Sequence, residues 1–160
     1  MKRTSSIERS PNKRLRDRRE PHINSRGKDG DFNKNFIRMR AEAGTPAYAY
    51  EVDFQSPIDG GKWHTPHTID IALSFDNTDK PGALAGNGPE ARKLAAQMSE
   101  TFIAFSRTGN PNNPALPAWK PYTLPNRETM IFDVASHMEN DPRGRERELF
   151  EKVPFIQQGT

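Results

Sequence analysis

Between residues 46 and 54 the chain reads "PAYAYEVDF", in which Tyr48, Tyr50, Val52 and Phe54 alternate with Ala47, Ala49, Glu51 and Asp53. Aromatic and β-branched residues at a period of two line one face of a strand, so 47–54 is the best strand in the chain. Pro57 and the Gly60–Gly61 pair in "SPIDGGKW" end it. A different period precedes it. In "NKNFIRMRAEAG", Phe36, Met39 and Ala43 fall at helical spacing, Gly44 suits the position just past a helix, and Pro46 lies beyond, which predicts a short helix over 33–43.

The clearest helical pattern is "PEARKLAAQMSETFIAFSRTGNP". Leu94, Met98, Phe102 and Phe105 make one stripe, widened by Ala91, Ala95 and Ile103. Pro89 and Glu90 suit the first turn, Arg107 the last, and Gly109 and Pro111 end the helix, predicting 89–108. The stripe reads as core packing. Residues 76–88 read as loop. The segment after the helix carries Pro114, Pro117, Pro121 and Pro125, so it predicts an extended connection that Trp119 and Tyr122 pin to the body. "TMIFDV" reads as one short strand. "NDPRGRERELFEKV" offers Asp141 as N-cap and Pro142 at the first helical position, with a charged helix to Lys152 that Gly144 weakens at its start. There is no internal repeat.

Composition changes this picture mainly at the N-terminus. Only 32% of the 160 residues are apolar, and Gly and Pro number 11 and 14. That leaves little apolar surface to offset chain entropy. Residues 1–31 hold ten Lys/Arg against five Asp/Glu, whereas the remainder holds fourteen against sixteen, so the basic balance belongs to this arm. Its interior aliphatics, Ile7, Leu15 and Ile23, have no period, which is the signature of disorder. The domain reading is therefore a disordered basic arm over 1–31 and a folded part over 32–160. Clustered Arg and Lys could neutralise phosphates, but no aromatic residue interleaves to stack on bases, so nucleic acid is not the expected partner. The absence of cysteine excludes disulfide and thiolate chemistry. No apolar run is long enough to span a membrane and no apolar segment follows the basic start, so no membrane partner is expected and the cytoplasm is the default compartment.

Candidate chemistry gathers in "GKWHTPHTIDIALSF", residues 61–75, where His64, His67 and Asp70 are evenly spaced. Three readings fit these residues: a metal site, a catalytic histidine or a polar loop. At this spacing a zinc site would suit one helical face, with a fourth ligand or ordered water completing it. Pro66 and the adjacent glycines argue for a loop, and no further His or Cys is near in sequence, so no metal and no cofactor are expected. The polar-loop reading suffices for His64, His22 and His137. His67 differs, because it precedes the apolar run Ile69, Ile71, Leu73 and Phe75. A histidine on a loop just past a strong strand is where an α/β-hydrolase carries its general base.

Several segments together resemble the C-terminal part of type-B carboxylesterases, the carboxylesterase/lipase and cholinesterase-like family. They are "PAYAYEVDF", then "HTIDIALSF" in the family's His-x-x-acid-aliphatic-x-x-x-Phe pattern, then "FIAFSRTGNPNNPALPAWKPY", "TMIFD" and "NDPRGRER". The resemblance runs from about residue 45 to 155 and implies an α/β fold class, as a C-terminal fragment of an α/β-hydrolase domain. It implies His67 as the catalytic histidine, with Asp70 contributing local structure next to it, and small esters as substrates of the intact family enzyme.

This sequence departs from the family by lacking a Gly-x-Ser-x-Gly elbow, a His-Gly-Gly-Gly oxyanion motif and the earlier segment that holds the triad acid. A histidine without its nucleophile has nothing to activate. The expectation is a truncated serine-esterase piece, inactive alone, with a complementing N-terminal chain as its conceivable partner. The alternative is a non-catalytic binding segment whose basic arm contacts nucleic acid or an acidic partner. With most of the parallel sheet missing, the strand at Tyr48–Phe54 is expected to lack pairing neighbours. Leu94, Phe102 and Trp119 are then expected to be exposed and to promote aggregation.

Overall fold

The computed structural model describes residues 29–152, so the arm lies outside the described residues as far as residue 28. Helix α1 runs Asp29–Glu42, starting four residues before the expected position. It ends one residue before the predicted position, with the expected glycine just past it. Gly44 adopts φ 67, its N–H donates to Ala41 O at 3.0 Å, and the Thr45 N–H donates to Arg40 O at 3.0 Å. This pair of reversed bonds closes a helix around a left-handed glycine. The expected apolar face is not buried, since Phe36 and Met39 remain exposed.

Strand β1, Ala49–Val52, pairs in parallel with β2, Glu128–Phe132, in the register Ala49↔Thr129 to Val52↔Phe132. β2 pairs antiparallel with β3, His137–Asn140, from Glu128↔Asn140 to Ile131↔His137. The expectation that the first strand has no neighbour is thus corrected. The segment 128–132, with Met130, Ile131 and Phe132, supplies a partner from far along the chain and becomes the central strand, buried along its whole length. β3 was not expected from the sequence. Its residues are mostly polar because it is an edge strand, with Met138 alone packing on the core.

Helix α2, Ile69–Ser74, and helix α3, Pro89–Thr108, fill the crossover between β1 and β2 and pack on each other. α3 matches its predicted limits, with Gly109 at φ 74 as the cap. Ile69, Leu73, Leu94, Met98, Met130 and Phe132 are all at most 2% exposed and form one core with Phe54 and Trp119. Each such side chain contributes about 1.5–3 kcal/mol relative to its exposed state. Trp119 meets Tyr48 and Phe132 edge to face at 5.9 and 5.8 Å, and Tyr50 meets Phe132 and Phe102 at 5.7 and 5.8 Å. These are the favourable aromatic geometries. Leu94 and Trp119 are therefore 1% and 5% exposed, and Phe102 packs against the core, which corrects their expected exposure.

The proline-rich connection is pinned as anticipated. Asn112 accepts the Trp119 N–H at 2.7 Å and donates to Trp119 O at 2.9 Å, so its amide serves that backbone as a strand neighbour would. The Tyr122 N–H donates to Ala47 O at 2.8 Å. The last helix, α4, runs Gly144–Lys152 and starts later than expected. Asp141 adopts φ 46, which is not the extended conformation of an N-cap, and its carboxylate instead accepts two bonds from Arg147 at 2.9 and 3.2 Å.

Candidate active site

The chain leaves β1 extended, and the Asp53 N–H adds one more parallel bond, to Phe132 O at 2.9 Å. Phe54 and Ser56 are 3% and 1% exposed, so the exit of the strand is buried and fixed. A tight turn follows, with Asp59, Gly60 and Gly61 all left-handed at φ 53, 73 and 83. Two glycines make such a run sterically accessible. On the solvent side of this turn, Trp63 Nε1–H donates to Asp59 at 2.8 Å and the Lys62 ammonium lies 4.7 Å from the Trp63 ring centre.

The returning strand of the loop is bonded back to the exit of β1. The Ser56 N–H donates to His64 O at 2.7 Å, and the Thr65 hydroxyl donates to Phe54 O at 3.0 Å. Gln55 spans the gap. Its Nε2 donates to Asp53 O at 2.9 Å and to the Thr65 hydroxyl at 3.1 Å, while its Oε1 faces His64 Nδ1 at 3.2 Å. A carbonyl can only accept, so Asp53 O fixes which end of the Gln55 amide is NH₂. Oε1 is then the acceptor, and the proton on His64 sits on Nδ1.

His67 follows this tie by two residues. It is exposed, at the surface, on a turn immediately before α2. On its far side, Ile69 is 2% exposed and its N–H donates to Pro66 O at 3.3 Å. The histidine is thus held between two fixed points, Thr65 and Ile69. Thr68 next to it has φ 72, a left-handed conformation that is a genuine outlier for a β-branched residue. Strain of this kind clusters at functional sites. Among the described residues His67 makes no side-chain hydrogen bond or ion pair, which leaves both ring nitrogens to solvent.

The other singled-out residues are dispersed. Asp70 lies in the first turn of α2, and its carboxylate adds to burial in pushing the Tyr50 phenol up from its ordinary value. His137 stands on β3, with Nδ1 3.1 Å from Ala135 O and Nε2 3.9 Å from Glu139. His22 lies outside the described residues. Among the described residues no group of three or more His, Asp or Glu side chains is gathered in a way that could hold a metal ion. Gln55 and Thr65, which define the loop, had no periodic signal to mark them.

A family model described as "Carboxylesterase family" matches residues 31–150. Para-nitrobenzyl esterase of Bacillus subtilis (strain 168) is 32% identical over 84 residues, covering 51% of this chain and 17% of that protein. Phenmedipham hydrolase of Pseudarthrobacter oxydans is 30% identical over 94 residues, covering 55% and 19%. Among solved structures, a Geobacillus stearothermophilus carboxylesterase superposes with a TM-score of 0.59 at 33% identity, over 70% of this chain and 23% of that one. An esterase from Clostridium hathewayi that can hydrolyze aliphatic aromatic polyesters superposes with a TM-score of 0.64 at 31% identity, over 76% and 24%. The fold is part of the α/β-hydrolase fold, seen here as a small mixed sheet with flanking helices. The chain belongs to the carboxylesterase family, and it spans less than a quarter of the length of these relatives.

Proposed function

We propose that His67 is the general base of a serine-type carboxylic-ester hydrolase and that these 160 residues carry it without their own nucleophile. The observation that carries the reading is the placement of His67. It is exposed on a pinned turn beyond the C-terminal end of a parallel strand, the edge at which open α/β sheets hold reacting groups. In that role its imidazole accepts the proton of an attacking serine and returns it to the leaving alcohol. Family membership supports the chemistry. Small esters are the proposed substrates, in keeping with the esterases and hydrolases that this chain resembles.

Neither a Gly-x-Ser-x-Gly elbow nor a glycine-rich oxyanion motif occurs in these residues. Triad members act as a unit, so a histidine alone supplies almost none of the acceleration. In this reading the nucleophile, the oxyanion donors and the acid that orients His67 are supplied by a complementing N-terminal portion of the domain. The test is to express the 160-residue chain with and without the N-terminal portion of a family member and to follow aryl-ester hydrolysis. Turnover is expected only in the mixture, blocked by a serine-directed phosphonate and reduced roughly 10⁴–10⁶-fold by His67→Ala. Robust turnover by the 160 residues alone, with phosphonate labelling, would overturn the reading.

A further inference from the structure

We infer that Gln55 is a positioning residue for His67, acting through the tie it makes across the base of the histidine loop. The inference rests on the reading of His67 as general base only for its consequence in catalysis; the mechanical part stands on the geometry. Gln55 uses its amide to anchor itself to its own segment and to bridge to the returning segment of the loop. It donates to Asp53 O at 2.9 Å and the Thr65 hydroxyl at 3.1 Å, and accepts from His64 at 3.2 Å. The Ser56–His64 and Thr65–Phe54 bonds, at 2.7 and 3.0 Å, run beside it and close the same seam.

The seam matters because of what lies on either side of it. On one side it is continuous with the buried exit of β1, at Phe54 and Ser56. On the other, Pro66 separates it from His67, and proline fixes one backbone angle of that short link. Beyond His67, buried Ile69 closes the span. Without Gln55, the segment 57–65 is held at its base by two bonds, and the strained left-handed residues His64 and Thr68, at φ 52 and 72, can relax. The ring of His67 has no hydrogen bond among the described residues to hold it instead. An effective general base must stay within hydrogen-bond reach of its proton, and a misplacement near 1 Å can reduce rate about 100-fold.

Three readouts on the 160-residue chain test this. In Gln55→Ala the backbone order parameter of His67 should fall from about 0.85 to below about 0.6. The Ser56 amide should exchange at least about tenfold faster with solvent, while Met130 and Leu73 amides keep their protection as fold controls. The ¹⁵N spectrum of His64 should show Nδ1–H in the parent and a shift toward Nε2–H in the variant, which reports loss of the Gln55 acceptor. Thr65→Val, which removes two bonds of the same seam, should also lower the His67 order parameter, and it decides the matter if Gln55→Ala unfolds.

Unchanged His67 order parameters in both variants overturn the inference. In the complemented assembly, Gln55→Ala should lower kcat about 10- to 100-fold with KM within about twofold. An unchanged kcat there, with His67 loosened, overturns the catalytic role. An assembly with no activity at all would instead count against His67 as general base, and the relaxation data would still decide whether Gln55 holds the turn.

Discussion

Arg143, just ahead of α4, donates to Glu51 on β1, a residue 92 positions earlier in the chain. The same guanidinium lies 3.6 Å from Asp53 and 3.4 Å from Glu146. The Arg143 and Glu51 side chains are only 14% and 12% exposed, so the pair is largely withdrawn from water. The acidic neighbours outweigh the opposing effect of burial and raise the Arg143 pKa above its ordinary value. This contact locks the C-terminal helix to the strand that leads into the histidine loop.

Removing one partner of a buried ion pair costs roughly 3–5 kcal/mol when burial is complete. Residual exposure reduces that here. Arg143→Leu should destabilise the chain by about 2 kcal/mol, measured by urea unfolding. The double variant Arg143→Leu with Glu51→Gln should recover part of the loss. Strictly additive effects would show that the pair is not coupled.

Glu128 gives the acid side of the stability profile a specific source. It is 6% exposed on β2, accepts the Thr123 N–H and O–H at 2.8 Å each, and accepts the Asn126 amide at 3.0 Å. Burial opposes its ionisation, yet the hydrogen bonds prevail and its pKa lies below the ordinary glutamate value. A carboxyl depressed on folding contributes stability above its unfolded pKa of about 4.3, lost as pH falls through the folded value. Unfolding free energy should thus decline below about pH 4.3 in the parent and less steeply in Glu128→Gln. Equal slopes would assign the acid loss to other groups.

Much of the fold was legible because its signals are local and redundant. Helix α3 combined a four-residue stripe, a proline start and a glycine stop, and all agreed on Pro89–Thr108. The position of His67 followed from the residues around it, on a turn between the first strand and α3. What was not legible depends on partners distant in sequence. β3 has too few apolar residues to announce itself and exists because β2 offers it an edge. Asp141 looks like an N-cap until Arg147, one and a half turns on, captures its carboxylate. Gln55 and Thr65 carry no pattern at all; only the returning loop gives them a role.

The expected aggregation surface also moves. Leu94 and Trp119 are covered by the sheet, whereas Ile71 on α2 and Phe75 at its C-cap, four residues apart, are 53% and 74% exposed. An i, i+4 pair presents one continuous face, and exposed apolar faces promote association. Sedimentation of the 160-residue chain should show concentration-dependent self-association that Ile71→Lys with Phe75→Asp suppresses. Leu94→Ala should behave oppositely, destabilising the fold by about 2–5 kcal/mol and increasing aggregation. Unaltered association in the α2 double variant would place the sticky surface elsewhere.

Thr68 offers the sharpest test of the histidine turn. Its left-handed backbone, φ 72, brings Cβ against the following carbonyl at a cost of about 1–2 kcal/mol. His64 is also left-handed, at φ 52, but histidine tolerates that region better than a β-branched residue. The strain therefore concentrates beside His67. Glycine at position 68 removes the clash but adds freedom to the unfolded chain, a loss of about 0.5–1 kcal/mol. Asparagine relieves part of the clash without that penalty. Thr68→Asn should accordingly raise the urea midpoint more than Thr68→Gly, with gains near 1 and 0.5 kcal/mol. Thr68→Pro should unfold the turn, because proline holds φ near −65°. If all three variants lower stability alike, Thr68 is not left-handed and the geometry drawn for His67 fails with it.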